Sequence, residues 1–193
     1  MNNDTKICAL WHTDRHIVSQ TKEYAQLLST AHRVIDGVEY VDDSSGRKIK
    51  RWKLGSSYED ILYKATHINH PSAIWVRHSY DNYMWLRSLL YQLCKEYTYR
   101  YGKIHKVESC GLYEALSYAP INIKLGVFTQ PTPAMPDEYI VSDSIQSYKN
   151  YYNGSKQKLH SWKNRPIPDF ISTEKDYESN SHDTISNNIM DIS

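Results

Sequence analysis

Residues 79–102 read SYDNYMWLRSLLYQLCKEYTYRYG, and this stretch decides the fold class. Tyr83, Leu86, Leu90, Leu93 and Tyr97 recur at the spacing that lines up one stripe of an α-helix. Ser79 stands where an N-cap hydroxyl is wanted, and Gly102 stands where a left-handed residue closes the last turn. A helix over 79–101 is therefore predicted, forming the centre of the core.

Towards the N-terminus, Thr13 is placed to cap a second helix from about Asp14 to Arg33, with Ile17, Tyr24, Leu28 and Ala31 at helical spacing and Gly37 just beyond. VEYVDDSSGRKIKRWKL (38–54) reads as two short strands around a Ser-Ser-Gly turn, although a disordered basic loop would look similar. Residues 57–66 predict a short helix. The loop His67-Ile68-Asn69-His70-Pro71 follows, in which Pro71 disfavours helix at His70. Beyond Gly102, a helix is expected near Lys106–Leu116, then an extended run from Pro120 to Pro136 with PxPxxP spacing at Pro131, Pro133 and Pro136. A last helix is expected from about Asp143 to Trp162, before Arg165-Pro166. No internal repeat is present. The fold class is mainly α: one helical domain over 1–171 with a hairpin insertion at 38–54, and a disordered acidic tail over 172–193.

The bulk composition fits that plan. A chain of 193 residues is long enough for one core and short for two. Seventeen tyrosines against two phenylalanines give apolar area with polar tips, which predicts a wet, aromatic surface. No window approaches the ~18 consecutive apolar residues of a membrane helix, and MNNDTKICALW lacks a signal pattern. Cys8, Cys94 and Cys110 are odd in number and lack CxxC spacing, so neither a disulfide framework nor a cysteine zinc site is implied, and a reducing cytoplasm is expected. The net charge of +1 hides an asymmetry. The tail carries five acids and one base, which leaves a mildly basic body compatible with a polyanionic partner.

Three groups of residues point to chemistry. His16 and Glu23 are nearly two turns apart on the first long helix and share its polar stripe with Ser19, Gln26 and Thr30. Taken alone, that stripe reads as a solvated helix face. His12 and His16 have i, i+4 spacing, to which Glu23, His67 or His70 could add metal ligands, but no HExxH accompanies them; neither a metal nor another cofactor is expected. Arg47-Lys48-Ile49-Lys50-Arg51-Trp52-Lys53 sets five cations and a tryptophan in seven residues, suited to phosphate contact and base stacking, and equally suited to keeping a hairpin edge soluble. Arg77, Arg87, Arg100 and Lys103 add positive charge around the long helix, where the tyrosines and tryptophans are more often packing residues than stacking platforms.

DRHIVSQTKEYAQLLSTAHR, NHPSAIWVRHSYDNYMWLRSLLYQLCKEYTYRYGKIH, MPDEY and YKNYYNGSKQKLHSWKNRPIPDF together resemble a largely uncharacterised set of tailed-phage proteins over most of the chain before the tail. More remotely, the layout is similar to the phage-type pyrimidine-dimer DNA glycosylase, endonuclease V, an all-α enzyme whose N-terminal Asp-x-His helix carries its catalytic glutamate. Asp14, His16 and Glu23 match that spacing, followed in order by the His70–Gly102 block and by Arg165-Pro166. The resemblance implies damaged DNA as substrate, an α-amine nucleophile contributed by Met1 or Asn2, Glu23 as the proton-handling carboxylate and His16 on sugar or phosphate. Lys22 stands where that family has an arginine, and Gln26 replaces a second one. Lys22, Gln26, Lys48, Lys50, Arg51, Trp52, His70, Arg77 and Arg165 are the expected nucleic-acid contacts of a monomer in the cytoplasm, the host's if the chain is phage-encoded. Two other readings stay open: a phage accessory protein without enzymatic activity that binds nucleic acid or a host factor through its tyrosine-rich surface, and a nucleotide- or base-modifying enzyme using His16, Glu23 and His70.

Overall fold

A computed structural model describes residues 4–55 and 57–172 of the chain. The architecture is mainly helical with one two-stranded antiparallel hairpin. Its organising element is the predicted long helix, α4 in chain order, over Tyr80–Tyr101. The Ser79 hydroxyl accepts from the Asn82 amide, and Gly102 takes the left-handed conformation while its N–H bonds to Thr98. Leu89, Leu90 and Leu93 are fully enclosed, and Leu86 nearly so. Tyr83 is equally enclosed, with its hydroxyl 2.8 Å from His32 Nε2.

Helix α2, Asp14–Asp36, packs against α4 and starts at Thr13, whose hydroxyl accepts from the His16 amide. It runs three residues past the expected Arg33 and closes at Gly37, where a Cβ would collide with the Arg33 carbonyl oxygen. The Arg33 side chain is buried and donates to the carbonyls of Trp52, Glu59, Leu62 and Tyr63 and to the Glu59 carboxylate. Turning those carbonyls onto a guanidinium removes them from an i→i+4 ladder. The helix expected over 57–66 is accordingly reduced to one 3₁₀ turn at Ser57–Glu59.

Strands β1 (Val38–Asp42) and β2 (Ile49–Lys53) form the hairpin that the sequence predicts, and they pair in the register Val38↔Lys53 to Asp42↔Ile49. Helix α1, Thr5–Trp11, has no expectation behind it. It is seven residues long, capped by the Asp4 carboxylate on the Lys6 and Ile7 amides, and lies against α4. The 67–71 loop leads into a further short helix, α3 (Pro71–Val76), where Pro71 occupies the first turn and His70 Nδ1 caps the Ser72 amide. Gly111, at φ +78°, splits the segment near 106–116 into α5 (Lys106–Ser109) and α6 (Leu112–Ala115).

The run from Pro120 to Pro136 is irregular, as expected. It is tied down by Asn82, whose side chain donates to Trp75 O and accepts from the Thr129 amide. The last helix is shorter than the sequence predicts: α7 spans Ser144–Asn153 and ends at Gly154, where a Cβ would strike the Tyr139 ring. The chain then passes a 3₁₀ turn at Gln157–Leu159 and lies across the start of α2.

That last segment is pinned by an ionic cluster. The Asp14 carboxylate accepts from Arg100 at 2.9 Å, from the Ser161 hydroxyl at 2.6 Å and from the Lys163 amide. Arg100 is fully buried and also binds Glu96 at 2.7 Å and the His12 carbonyl. Glu96 in turn takes Arg165 through two N–H···O bonds. One continuous apolar core, from Cys8 in α1 to Leu116, runs under these elements. No helix among the described residues is long and apolar enough to cross a membrane.

Candidate functional site

Between the end of α1, the first half of α2, α3, the start of α4, and α7 lies a cavity of about 580 Å³. Its volume falls in the range of small-molecule sites. The apolar floor comes from Trp75, Trp85, Leu86 and Leu89, while Trp11, Tyr151, Tyr152 and Phe170 supply further aromatic walls. Trp11 and Phe170 meet edge to face with centroids 4.8 Å apart.

Helix α2 brings His16, Gln20, Glu23 and Gln26 to this cavity on the face that the i, i+4, i+7 spacing assigns them. Glu23 is exposed at the rim, and its carboxylate accepts from Gln20 at 2.8 Å. His16 is half-buried, with Nδ1 2.7 Å from the Tyr152 hydroxyl. Burial, with the charges of Lys156 and Arg15 adding to it, drops the His16 pKa to about 4, so the ring is neutral at pH 7. Burial also pushes the Tyr152 phenol well above its usual range. The phenol therefore remains protonated and serves as donor to Nδ1, and on that assignment the ring's own proton sits on Nε2, with which no described residue forms a hydrogen bond.

His12 sits behind His16 and is closed off. Its Nδ1 donates to the Cys8 carbonyl at 2.8 Å and its Nε2 accepts from the Tyr24 hydroxyl at 3.1 Å. Burial carries its pKa down to about 3 against the raising effect of the Cys8 carbonyl. With both ring nitrogens engaged, the i, i+4 pair is not a chelate. Among the described residues no group of three or more His, Cys, Asp and Glu side chains stands where it could hold a metal ion.

Two lysines that sequence reasoning did not single out complete the lining. Lys149 Nζ lies 5.3 Å from the Trp11 ring centroid and 5.7 Å from that of Phe170, and Lys156 Nζ lies 4.8 Å from that of Tyr151. Neither forms an ion pair among the described residues. Lys149, Tyr151, Tyr152 and Lys156 all lie in YKNYYNGSK (148–156), whose i, i+3 spacing of Lys149 and Tyr152 was the available signal.

The other expected site residues divide. His70 reaches the same cavity but spends Nδ1 on capping α3. Lys22 points to solvent outside it. Asp14 does not join His16 and Glu23, because Arg100, Ser161 and Lys163 hold its carboxylate on the opposite side of the helix start. Arg165 is committed to Glu96 and stacks over Tyr99 at 3.7 Å, so it is a packing residue and not an open phosphate contact. Arg77 is half-buried at the end of α3, outside the cavity lining, with Nη1 buried and unbonded.

Lys48, Lys50, Arg51 and Trp52 line a second, more open cleft of about 420 Å³ against Ala65–Ile68. Lys50 pairs with Glu39 at 2.9 Å and Arg51 with Asp42 at 3.8 Å, so part of the basic run is neutralised across its own hairpin. Thr66 and His67 line both clefts. Met1 and Asn2, the expected source of an amine nucleophile, and residues 173–193 of the tail lie outside the described residues. No family model, curated protein or solved structure matches this chain.

Proposed function

We propose that the chain excises a nucleobase bound in the aromatic cavity, as a DNA repair or processing glycosylase with lyase chemistry on damaged pyrimidines. The observation that carries this reading is the lining of one cavity by the described residues: edge-to-face aromatic rings, a single carboxylate, the neutral His16 and two lysines that form no ion pair among those residues. Rings suit a base lifted out of its stack, and unpaired lysines suit the phosphate attached to it.

Breaking a glycosidic bond builds positive charge on the sugar, and a carboxylate at the rim is placed to stabilise that charge and to handle a proton. Among the described residues, Glu23 is the one carboxylate in the lining. His16, neutral and with Nε2 unclaimed by the described residues, holds a sugar or phosphate oxygen as hydrogen-bond donor without adding charge. The resemblance to the pyrimidine-dimer glycosylase supports the same two residues in the same two roles.

The test is release of damaged base from an ultraviolet-irradiated duplex by the wild type and by Glu23→Gln, at matched folding. Loss of the carboxylate should slow release roughly a hundredfold or more while binding persists. Full activity in the variant removes Glu23 from the chemistry. A second reading, modification of a free nucleotide, is favoured by His70 sharing the cavity with His16 and Glu23. Turnover of mononucleotides but not of duplex would select it.

A further inference from the structure

We infer that the segment Glu174-Lys175-Asp176-Tyr177-Glu178 seats against the aromatic cavity and competes there with the cavity's ligand. That the ligand is a nucleotide unit rests on the excision reading; the contact of the segment with the cavity does not.

The described chain leaves from the cavity itself. Phe170 is one of its walls, edge to face with Trp11 and with its ring centroid 5.7 Å from Lys149 Nζ. Asn153, the last residue of α7, fixes this exit twice. Its side-chain amide donates to the Phe170 carbonyl at 2.7 Å, and its side-chain oxygen accepts from the Ser172 N–H at 2.9 Å. Ile171, between the two bonds, is buried. From Phe170 to Tyr177 an extended chain spans at most about 25 Å. That tether is long enough to cross a cavity of about 580 Å³.

Charge and shape select the occupant. Lys149 and Lys156 line the cavity and form no ion pair among the described residues, where Glu23 is the one carboxylate of the lining. Segment 174–178 offers three carboxylates against one ammonium. Asp176 and Glu178 flank Tyr177, so a flat ring stands between two negative charges. A ring among rings and an anion beside lysines are the two contacts this lining can make. Asp183 and Asp191, further along, have no tyrosine, tryptophan or phenylalanine beside them. The hairpin is the weaker host, because Lys50 and Arg51 already face Glu39 and Asp42.

The experiment is zero-length carbodiimide coupling of the full chain at low salt, with peptide mapping of the monomer band, alongside anisotropy titration of a fluorescein-labelled, ultraviolet-irradiated duplex. Wild type should link a carboxylate of 174–178 to Lys149 or Lys156, and excess duplex should suppress the link. The triple variant Glu174→Gln, Asp176→Asn, Glu178→Gln should lose the link and bind duplex roughly threefold or more tightly, as the release of two or three exposed ion pairs gives. That gain should shrink in high salt. Asp183→Asn with Asp191→Asn, which removes charge from outside the segment, should keep the link and gain less affinity per charge removed. Links only to Lys48, Lys50 or Lys53, or no link, overturn the inference and leave excision standing. So do a link that bound duplex fails to suppress and an equal gain per charge in the double variant, which general repulsion would explain. If the link forms and neither wild type nor the triple variant binds duplex, the contact stands and the excision reading falls. Coupling of wild type needs no substitution, so its outcome is independent of how any variant folds.

Discussion

Acidification should destabilise this protein well above the range where carboxylates titrate, and His12 sets the size of the effect. The ring is buried, and its pKa falls from 6.5 to about 3 on folding. Its folded pKa is depressed, so between these values the unfolded chain takes up a proton that the folded chain refuses. Stability is then fully present above pH 6.5 and declines as pH falls towards the folded value. At pH 5 the gap is about one and a half pH units, or about 2 kcal/mol from His12 alone. For a chain of this size that corresponds to a fall in Tm of roughly 4–8 °C relative to pH 7.5. The half-buried His16, lowered to about 4, acts in the same direction. The assay is thermal melting from pH 7.5 to 5.0 in wild type and in His12→Gln, which keeps one polar group towards Cys8 or Tyr24 and cannot titrate. The variant should be less stable at pH 7.5 and show a shallower dependence on pH. A wild-type Tm that is flat over this range, or an equal slope in the variant, refutes the burial argument.

Leu93→Ala should cost roughly 2–5 kcal/mol in chemical denaturation, because the side chain is fully enclosed in α4; a near-neutral value would mean that the helix is not central. Arg100→Met should destabilise by about 3–5 kcal/mol, since it leaves Glu96 and Asp14 without their buried partner, and a stability equal to wild type would show that cluster to be dispensable. Replacing Lys48, Lys50 and Arg51 together by Ala should weaken DNA binding and lower its salt slope by roughly one to two, less than three phosphate contacts would give, because Lys50 and Arg51 already face Glu39 and Asp42. An unchanged slope would leave the hairpin cations with solubility alone.

The two long helices were legible because their signals are local. Ser79, Gly102, Thr13 and Gly37 mark their ends within a turn of the backbone they cap. The elements that were misread depend on distant partners. The segment 57–66 looks helical by itself, but the Arg33 guanidinium draws its carbonyls away. Helix α7 continues in the sequence pattern past Gly154, yet it closes there, where the Tyr139 ring lies so close to the backbone that no side chain would fit. Helix α1 is too short for periodicity to register. The site divides in the same way. His16, Glu23 and Gln26 share a helix face and were found by counting, whereas Tyr152, bonded to His16 from 136 residues away, and Lys149 come from the far part of the sequence. Asp14 and Arg165 matched a motif, but the fold uses them to fasten the end of the chain to its core.

The distribution of paired charge separates scaffold from site more sharply than residue type does. Arg33, Arg100 and Arg165 each meet a carboxylate within 3 Å, and Asp14, Glu59 and Glu96 are held below the usual carboxylate range: partial burial opposes this, but hydrogen bonds and guanidinium charges outweigh it. These groups are consumed in holding the hairpin and the C-terminal segment to the core, and little of their field is left for a ligand. In the cavity the opposite holds. Among the described residues of the lining, His12 and His16 are neutral at pH 7, Glu23 is the lone carboxylate, and Lys149 and Lys156 form no ion pair, so the formal charge these residues carry is positive. Aromatic walls of low polarity screen that field less than open solvent does. An anionic, planar ligand would satisfy both halves of this environment, and the nucleotide unit of the proposed function has that combination of a flat ring and a phosphate.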